Sequence, residues 1–246
     1  MGLYKIEAVV LRRRNLGEAD RLVTVLSRDR GKLVLVARGA RRPRSRLGGR
    51  LEPPTRFRAL VAEGRTLDVV SQVEVLDAHA ALRNDLERMG YAAVVLEMAD
   101  RALAERHPHP DVYGLLRDAL TLLGGGHECA GLWFAARLLA LTGHRPTVSR
   151  CPACGQRVRG AAAWSNVLGG CVHAACGSAD PRAIPVGAAA LALLRFLLDA
   201  QPSAVRRLVP PSVVRSAVAG LLFGYAEACW ETRLRSPAVV RALSVV

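Results

Sequence analysis

Residues 55–75 read TRFRALVA, EGR and TLDVVSQVEV in turn, and this stretch decides the fold class. Two runs rich in apolar and β-branched residues, 55–62 and 66–75, flank the short segment at 63–65. Such a pattern is typical of two antiparallel strands joined by a tight turn, with Gly at the position that most needs a positive φ. The sequence therefore predicts a β-hairpin with Gly64 in its turn.

Three more strands are predicted upstream of this hairpin, over residues 4–11, 21–26 and 32–36, with Gly31 as the break before the third. A sheet of five short strands avoids exposed edges by closing into a barrel. An OB-type barrel fits this count. An SH3-like barrel is the alternative, because the number of strands alone does not exclude it.

Beyond residue 84 the apolar residues recur every three or four positions, which is typical of helices. Asn84 is predicted to cap the first helix, which runs to about residue 104. Further helices are predicted between Gly and Pro breaks, over residues 111–123, 128–141, 187–200 and 212–233. The sequence thus predicts an α+β protein in which a barrel precedes one helical bundle, and the bundle is interrupted by an aperiodic insert.

The chain is strongly basic, with a net charge of +14 carried by 33 Arg and only two Lys. A surplus of this size favours a polyanionic partner, since each neutralised phosphate releases counterions. Part of the preference for Arg over Lys is also what a biased genomic base composition would produce. The charge is concentrated, because residues 28–65 hold 12 basic and three acidic side chains.

The densest part of this region is residues 38–50, RGARRPRSRLGGR, which contains six Arg and no acidic residue. Three Gly and one Pro disfavour a helix, so a mobile loop that leaves the third strand is predicted. Such a loop can place guanidinium groups along a phosphate backbone, although a merely solvated loop is the alternative. Arg12, Arg13 and Arg14 would extend the surface only where strand alternation turns them to the same side. Aromatic residues make up 4% of the chain, which argues against base stacking and sequence reading.

Four cysteines fall within the insert, beginning with Cys151-Pro-Ala-Cys154 followed by Gly. This spacing lets two thiolates face one tetrahedral zinc, and sixteen residues then precede Cys171. The second pair of ligands is ambiguous. Two residues separate His173 from Cys176, which is the usual spacing, whereas four separate Cys171 from Cys176. We favour four thiolates, since an unligated Cys171 beside a zinc would be unusual. A redox pair or buried free thiols are the alternatives to a structural zinc site.

Nothing in the chain predicts an enzyme, because it contains neither a phosphate-binding Gly loop nor a nucleophile–base spacing above chance. The longest apolar runs are too short for a membrane span, and the N-terminus lacks the apolar block of a signal peptide. We therefore expect a cytoplasmic protein. A zinc-dependent enzyme and a zinc-containing, OB-fold factor that binds RNA or the ribosome remain the competing hypotheses.

Several motifs together resemble the RecO family of recombination mediators. They are GEADRLVT at 17–24, RGK at 30–32, ARGARRPRSRL at 37–47 and the Cys-x-x-Cys-Gly at 151–155. The chain departs from the family's usual second Cys-x-x-Cys pair, because His173 stands where the first cysteine of that pair would fall.

This resemblance implies an OB barrel, a helical bundle and a zinc element, without catalytic turnover. The expected domains are an OB-fold DNA-binding barrel over 1–80, a helical bundle over 81–149 and 183–246, and a zinc-binding insert over 150–182. It implies binding of single- and double-stranded DNA, strand annealing, and action with RecR, RecF, RecA and single-strand DNA-binding protein at the nucleoid. The expected DNA contacts are Lys32, Arg38, Arg41, Arg42, Arg44, Arg46 and Arg50. The expected zinc ligands are Cys151, Cys154, Cys171 and Cys176.

Overall fold

The computed structural model describes residues 2–159 and 162–238. Five strands form the N-terminal part: β1 (Leu3–Leu16), β2 (Asp20–Ser27), β3 (Gly31–Ala37), β4 (Arg56–Ala62) and β5 (Asp68–Asp77). They close into a barrel in the order β1-β2-β3-β5-β4, with β3 and β5 parallel and the other neighbours antiparallel. This order confirms the OB-type barrel and the α+β class, and it decides against the SH3-like alternative.

Closure depends on β1, which is longer than the sequence pattern predicts. Its first half pairs with β4 and its second half with β2, and the register shifts between Val10 and Arg12. Such an irregularity bends a strand, so that β1 can pass from one neighbour to the other. Tyr4 and Phe57 are buried in the barrel.

The hairpin between β4 and β5 forms where predicted, but Gly64 has a different role. Its φ is not positive, unlike that of Gly31 or Gly39. A Cβ at Gly64 would lie 1.9 Å from the carbonyl oxygen of Leu67. Gly is required here because the chain approaches itself closely, and the predicted positive φ was wrong.

The helical region contains α1 (Ala80–Arg83), α2 (Leu86–Ala102), α3 (Pro110–Gly124), α4 (Cys129–Leu141), α5 (Ala188–Asp199), α6 (Pro202–Val205) and α7 (Ser212–Cys229). α4 packs against α5 and α7, so helices from both sides of the insert share one core. Asp85, rather than the predicted Asn84, caps α2 by accepting a hydrogen bond from the amide of Arg88. The predicted stretch 239–246 lies outside the described residues.

The insert forms a small antiparallel sheet that the sequence reading did not predict. Its strands are β6 (Ala162–Ser165), β7 (Gly170–His173) and β8 (Ile184–Val186), in the order β7-β6-β8. A 3₁₀ helix at Ala174–Ala179 follows β7. Residues 160–161, which belong to the predicted insert, also lie outside the described residues.

The connection between α2 and α3 crosses the barrel, and we call residues 103–109 the strap. The parallel pairing of β3 with β5 covers only two residues of β3, which leaves the start of this strand without a neighbour from β5. Glu105 of the strap pairs with Lys32 there, and the amide of Arg106 donates to the carbonyl of Lys32 at 2.9 Å. A Cβ on Gly31 would lie 1.9 Å from the carbonyl oxygen of His107, so the strap touches the backbone of β3. The helical region thus supplies part of the barrel wall.

Asp68 joins the strap to the barrel at the contact of the strap with β3 and β5, which we call the seam. Its buried carboxylate accepts hydrogen bonds from the hydroxyl of Tyr4 at 2.6 Å and from the guanidinium of Arg106 at 3.1 Å. The amide of Gly64 donates to the same carboxylate at 3.1 Å. Burial alone would raise the pKa of Asp68, but these hydrogen bonds and the charge of Arg106 hold that pKa below its ordinary value.

We predict that Asp68→Asn lowers the free energy of unfolding by about 2 kcal/mol at neutral pH, because it removes hydrogen bonds to a charged group. A carboxyl whose pKa is lowered in the folded state stabilises it above the unfolded pKa and loses this effect as the pH falls. The difference between variant and wild type should therefore shrink as the pH falls through 3.8, the ordinary value, and below. Urea unfolding at several pH values measures this difference in the free energy of unfolding.

Asp29→Asn is the matched control, because Asp29 is 77% exposed and lies 4.0 Å from Arg28. It should leave the free energy of unfolding within a few tenths of a kcal/mol of wild type. Equal effects of the two substitutions would contradict the role of Asp68 at the seam.

Candidate nucleic-acid surface and metal centre

The arginine-rich segment 38–50 leaves β3 as a chain of turns that is tied to the β1–β2 turn. The amide of Gly39 donates to the carboxylate of Asp20 at 2.8 Å, and the amide of Arg41 donates to the carbonyl of Ala19 at 2.9 Å. Ala40 is buried in the barrel core, and Leu47 packs against that core. The segment is therefore the loop after the third strand that its Gly and Pro content predicts, and these contacts anchor its backbone to the barrel.

The six arginines of this segment are all exposed, but they differ in what they contact. Arg41 donates to the carbonyl of Gly17 at 2.7 Å, and Arg50 donates to the carbonyl of Val73 at 3.1 Å. Within residues 2–159 and 162–238, no ion pair involves the other four, which are Arg38, Arg42, Arg44 and Arg46. An anchored backbone with four unpaired guanidinium groups is suited to binding an anionic polymer.

Lys32 lies apart from this group, at the contact between barrel and helices. Its ammonium group donates to the carbonyl of Asp100 at 2.5 Å and lies 3.4 Å from the carboxylate of the same residue. The side chain is only 12% exposed. This position does not leave the ammonium group free for a phosphate.

The arginines at the end of β1 are divided in the same way. Arg12 pairs with Asp100, and Arg13 pairs with Glu52. Arg14 is exposed, and no carboxylate among the described residues pairs with it. Of these three arginines, only Arg14 presents an uncompensated charge.

The metal-ligand candidates converge at the end of β7. Cys151, Cys154, His173 and Cys176 form a group whose ligand atoms all lie within 4.8 Å of one another. The imidazole Nδ1 of His173 is 3.4 Å from the sulfur of Cys154 and 4.0 Å from that of Cys176. A tetrahedral zinc with ordinary bond lengths places its ligand atoms about 3.5–3.8 Å apart. The group therefore fits a metal ion of this kind.

The backbone of residues 151–155, which we call the knuckle, holds the first two ligands. The amide of Gly155 donates to the carbonyl of Cys151 at 2.8 Å, and Gly155 has a φ of +74°, which favours Gly. Burial opposes ionisation of the Cys151 thiol, but hydrogen bonds from the amides of His173 and Cys154, among others, lower its pKa to about 6. One ligand is therefore already inclined to be a thiolate near neutral pH, which is the form that binds metal.

A backbone contact orients the imidazole of His173. Its Nε2 donates to the carbonyl of Arg157 at 3.0 Å. This hydrogen bond places the proton on Nε2 and leaves Nδ1 free to face the three sulfurs. The same hydrogen bond raises the pKa of His173.

Cys171 lies outside the group, although four thiolates were expected. It is fully buried, pairs with Trp164 across β6 and β7, and has a pKa that burial raises to about 11. Each residue advances a strand by about 3.3 Å, so Cys171 lies roughly two such steps from His173. His173 ends the strand beside the 3₁₀ helix that carries Cys176, and it takes the position expected for Cys171.

These features define a class of protein: a closed OB-type barrel with a basic, anchored segment, joined to a helical region with a Cys₃His group. Over the described residues, no helix combines the length and apolarity that crossing a membrane requires.

Comparison with known proteins agrees with this class. The chain matches the family model "Recombination protein O N terminal" over residues 1–79 and "Recombination protein O C terminal" over residues 83–237. It is 38% identical to "DNA repair protein RecO" of Heliobacterium modesticaldum, across 100% of this chain and 90% of that protein. The protein of the same name from Symbiobacterium thermophilum is 34% identical over 96% of each chain. The chain belongs to the RecO family of DNA repair proteins.

Proposed function

We propose that this chain binds single- and double-stranded DNA through the segment 38–50 and promotes annealing without ATP or catalytic turnover. One observation carries the proposal: four exposed guanidinium groups, without ion-pair partners among the described residues, lie on one anchored segment of the barrel. The proposed contacts are Arg38, Arg42, Arg44 and Arg46, with Arg41 and Arg50 beside them. Lys32 is left out of the proposed contacts because Asp100 binds it.

A physical mechanism for annealing follows from charge alone. Two complementary strands repel each other through their phosphates, and bound guanidinium groups reduce this repulsion as counterions leave. The aromatic residues of the barrel do not supply a stacking platform, since Tyr4 and Phe57 are buried. Binding should therefore depend little on base sequence, which suits a protein that brings arbitrary complementary strands together.

We further propose that the Cys₃His group holds a structural zinc. Four protein ligands fill a tetrahedral shell, so the ion would organise the insert instead of activating water. Cys151, Cys154, His173 and Cys176 would hold it, with the carbonyl of Arg157 orienting the imidazole.

The family resemblance extends the proposal to partners. We propose that the chain acts in the cytoplasm, at the nucleoid, with RecR and RecF to assist loading of RecA onto strands coated by single-strand DNA-binding protein. Family membership favours DNA over RNA as the nucleic acid.

The experiment is annealing of complementary oligonucleotides coated by single-strand DNA-binding protein, with and without RecR and in the absence of ATP. We expect faster annealing with the chain present and a further change with RecR. Competition between single-stranded DNA and structured RNA for binding tests the choice of nucleic acid. A strong preference for RNA, or annealing no faster than in buffer, would contradict the proposal.

A further inference from the structure

Three exposed arginines lie close together beside the knuckle of the insert, and the guanidinium group of one of them, Arg150, donates to the carbonyl of Gly155 at 3.2 Å. Arg150, Arg157 and Arg159 are exposed, while Cys151 and Val158 beside them are buried. Within the described parts of the chain, no carboxylate forms an ion pair with any of the three arginines. Their charges are therefore uncompensated by acidic side chains.

The backbone places two of these arginines directly opposite each other. The amide of Cys151 donates to the carbonyl of Gln156 at 2.7 Å, and the amide of Val158 donates to the carbonyl of Ser149 at 3.1 Å. These two hydrogen bonds lie on either side of the antiparallel pair Arg150–Arg157. The backbones of Arg150 and Arg157 therefore form no hydrogen bond with each other. In such pairs the Cα atoms are about 4.5 Å apart and the side chains are closest.

Arg159 extends the exposed face of the antiparallel segment around Arg150 and Arg157, which we call the ribbon. Arg159 lies two residues beyond Arg157, and both are exposed while Val158 between them is buried, so the two side chains lie on the same outer side. The buried Cys151 and Val158 occupy the alternate positions and turn toward the metal-ligand group and the core. Three guanidinium groups therefore share one outward face.

Like charges placed directly opposite each other in a sheet destabilise it. The only acidic residue of the stretch 150–182, Asp180, accepts hydrogen bonds from Ser165 at 2.6 Å and from the amide of Arg182 at 2.9 Å. Three thiolates and a neutral imidazole around a divalent ion would carry one net negative charge, which would offset only part of the three positive charges. An unfavourable arrangement of this kind is relieved by an external anion.

We propose that Arg150, Arg157 and Arg159 form a second phosphate-binding surface for nucleic acid, which adds contacts to those of the barrel segment. This proposal rests on the proposed function, since it assumes that the chain binds DNA. The phosphate backbone is the ligand because three guanidinium groups in a row, without an aromatic side chain among them, match a row of phosphates and no base edge.

The test is the triple variant R150Q/R157Q/R159Q of the full chain, compared with R206Q/R207Q/R233Q. The control removes the same charge from exposed positions elsewhere in the helical region. Binding of single-stranded DNA is measured over a range of salt concentrations, together with metal content and melting temperature. We expect the ribbon variant to lower the salt-dependence slope by roughly 0.7 for each lost contact, so by about 2 for three.

The ribbon variant should also keep its bound metal and melt at the same temperature or slightly higher, since it removes a like-charge pair. A purely structural role would instead lower the melting temperature. A wild-type slope in the ribbon variant, or the same change in the control, would overturn this second surface. If the ribbon variant keeps the wild-type slope while R42Q/R44Q/R46Q loses DNA, only the second surface fails. If the wild-type chain does not bind DNA, the proposed function fails with it.

Discussion

Replacing Arg42, Arg44 and Arg46 together with Gln should reduce the salt dependence of DNA binding by about two units of slope. Each phosphate contact contributes roughly 0.7–0.9 to the slope of log K against log salt. If affinity extrapolated to 1 M salt is unchanged, the variant binds about 100-fold more weakly at 0.1 M salt. The side chains of these three arginines form no ion pairs and no hydrogen bonds to backbone carbonyls within the described residues, so their replacement should leave the fold unchanged.

The measurement is a titration of a fluorescent single-stranded oligonucleotide at several salt concentrations, with R206Q/R207Q/R233Q as the charge-matched control. Thermal unfolding of both variants should match wild type. A variant that keeps the wild-type slope would place the main phosphate contacts outside the segment 38–50.

The second large effect concerns the metal-ligand group. The double variant C151S/C154S should lose bound zinc almost completely, because structural zinc sites contribute on the order of 10 kcal/mol and serine is a poor replacement for a thiolate. The insert should become sensitive to limited proteolysis. The barrel has its own core and should keep part of its DNA binding. Metal analysis and proteolysis of the purified chain measure both effects.

C171S separates the two ligand sets that the sequence left open. Because Cys171 lies outside the group, C171S should keep one metal ion per chain, whereas H173A should lose it. Loss of metal in C171S with retention in H173A would restore the set of four thiolates. Metal retained in C151S/C154S would remove the site from this knuckle altogether.

Much of the barrel follows from local pattern, since runs of apolar residues between Gly breaks predict all five strands. The closing of β3 onto β5 could not be read from the sequence, because it depends on contacts between distant parts of the chain. The extension of β1 to Leu16 was also missed, since residues 12–15 are polar and are held by pairing with β2.

The basic segment was predictable as a concentration of charge, but the state of each side chain was not. Asp100 lies 68 residues from Lys32, and only the packing of α2 on the barrel brings them together. The turns within the segment depend on Ala19 in the β1–β2 turn and on Asp20 at the start of β2. Long-range partners therefore decide which charges remain available.

The metal-ligand group shows a similar limit. Spacing alone left Cys171 and His173 as competing ligands. The end of β7 and the start of the 3₁₀ helix decide between them, because they bring His173 and Cys176 to one point. A Cys-x-x-Cys motif predicts the first two metal ligands. The identity of the other two depends on where β7 ends.

The strap has a consequence for how the chain is made. The family models divide the chain between residues 79 and 83, yet the edge of β3 is covered by Glu105 and Arg106. A nascent barrel leaving the ribosome would carry an open strand edge until these residues emerge, and open edges invite pairing with other chains. A fragment that ends at residue 79 would keep that open edge permanently. Production of the barrel alone should therefore yield aggregates more readily than a fragment extended through α3.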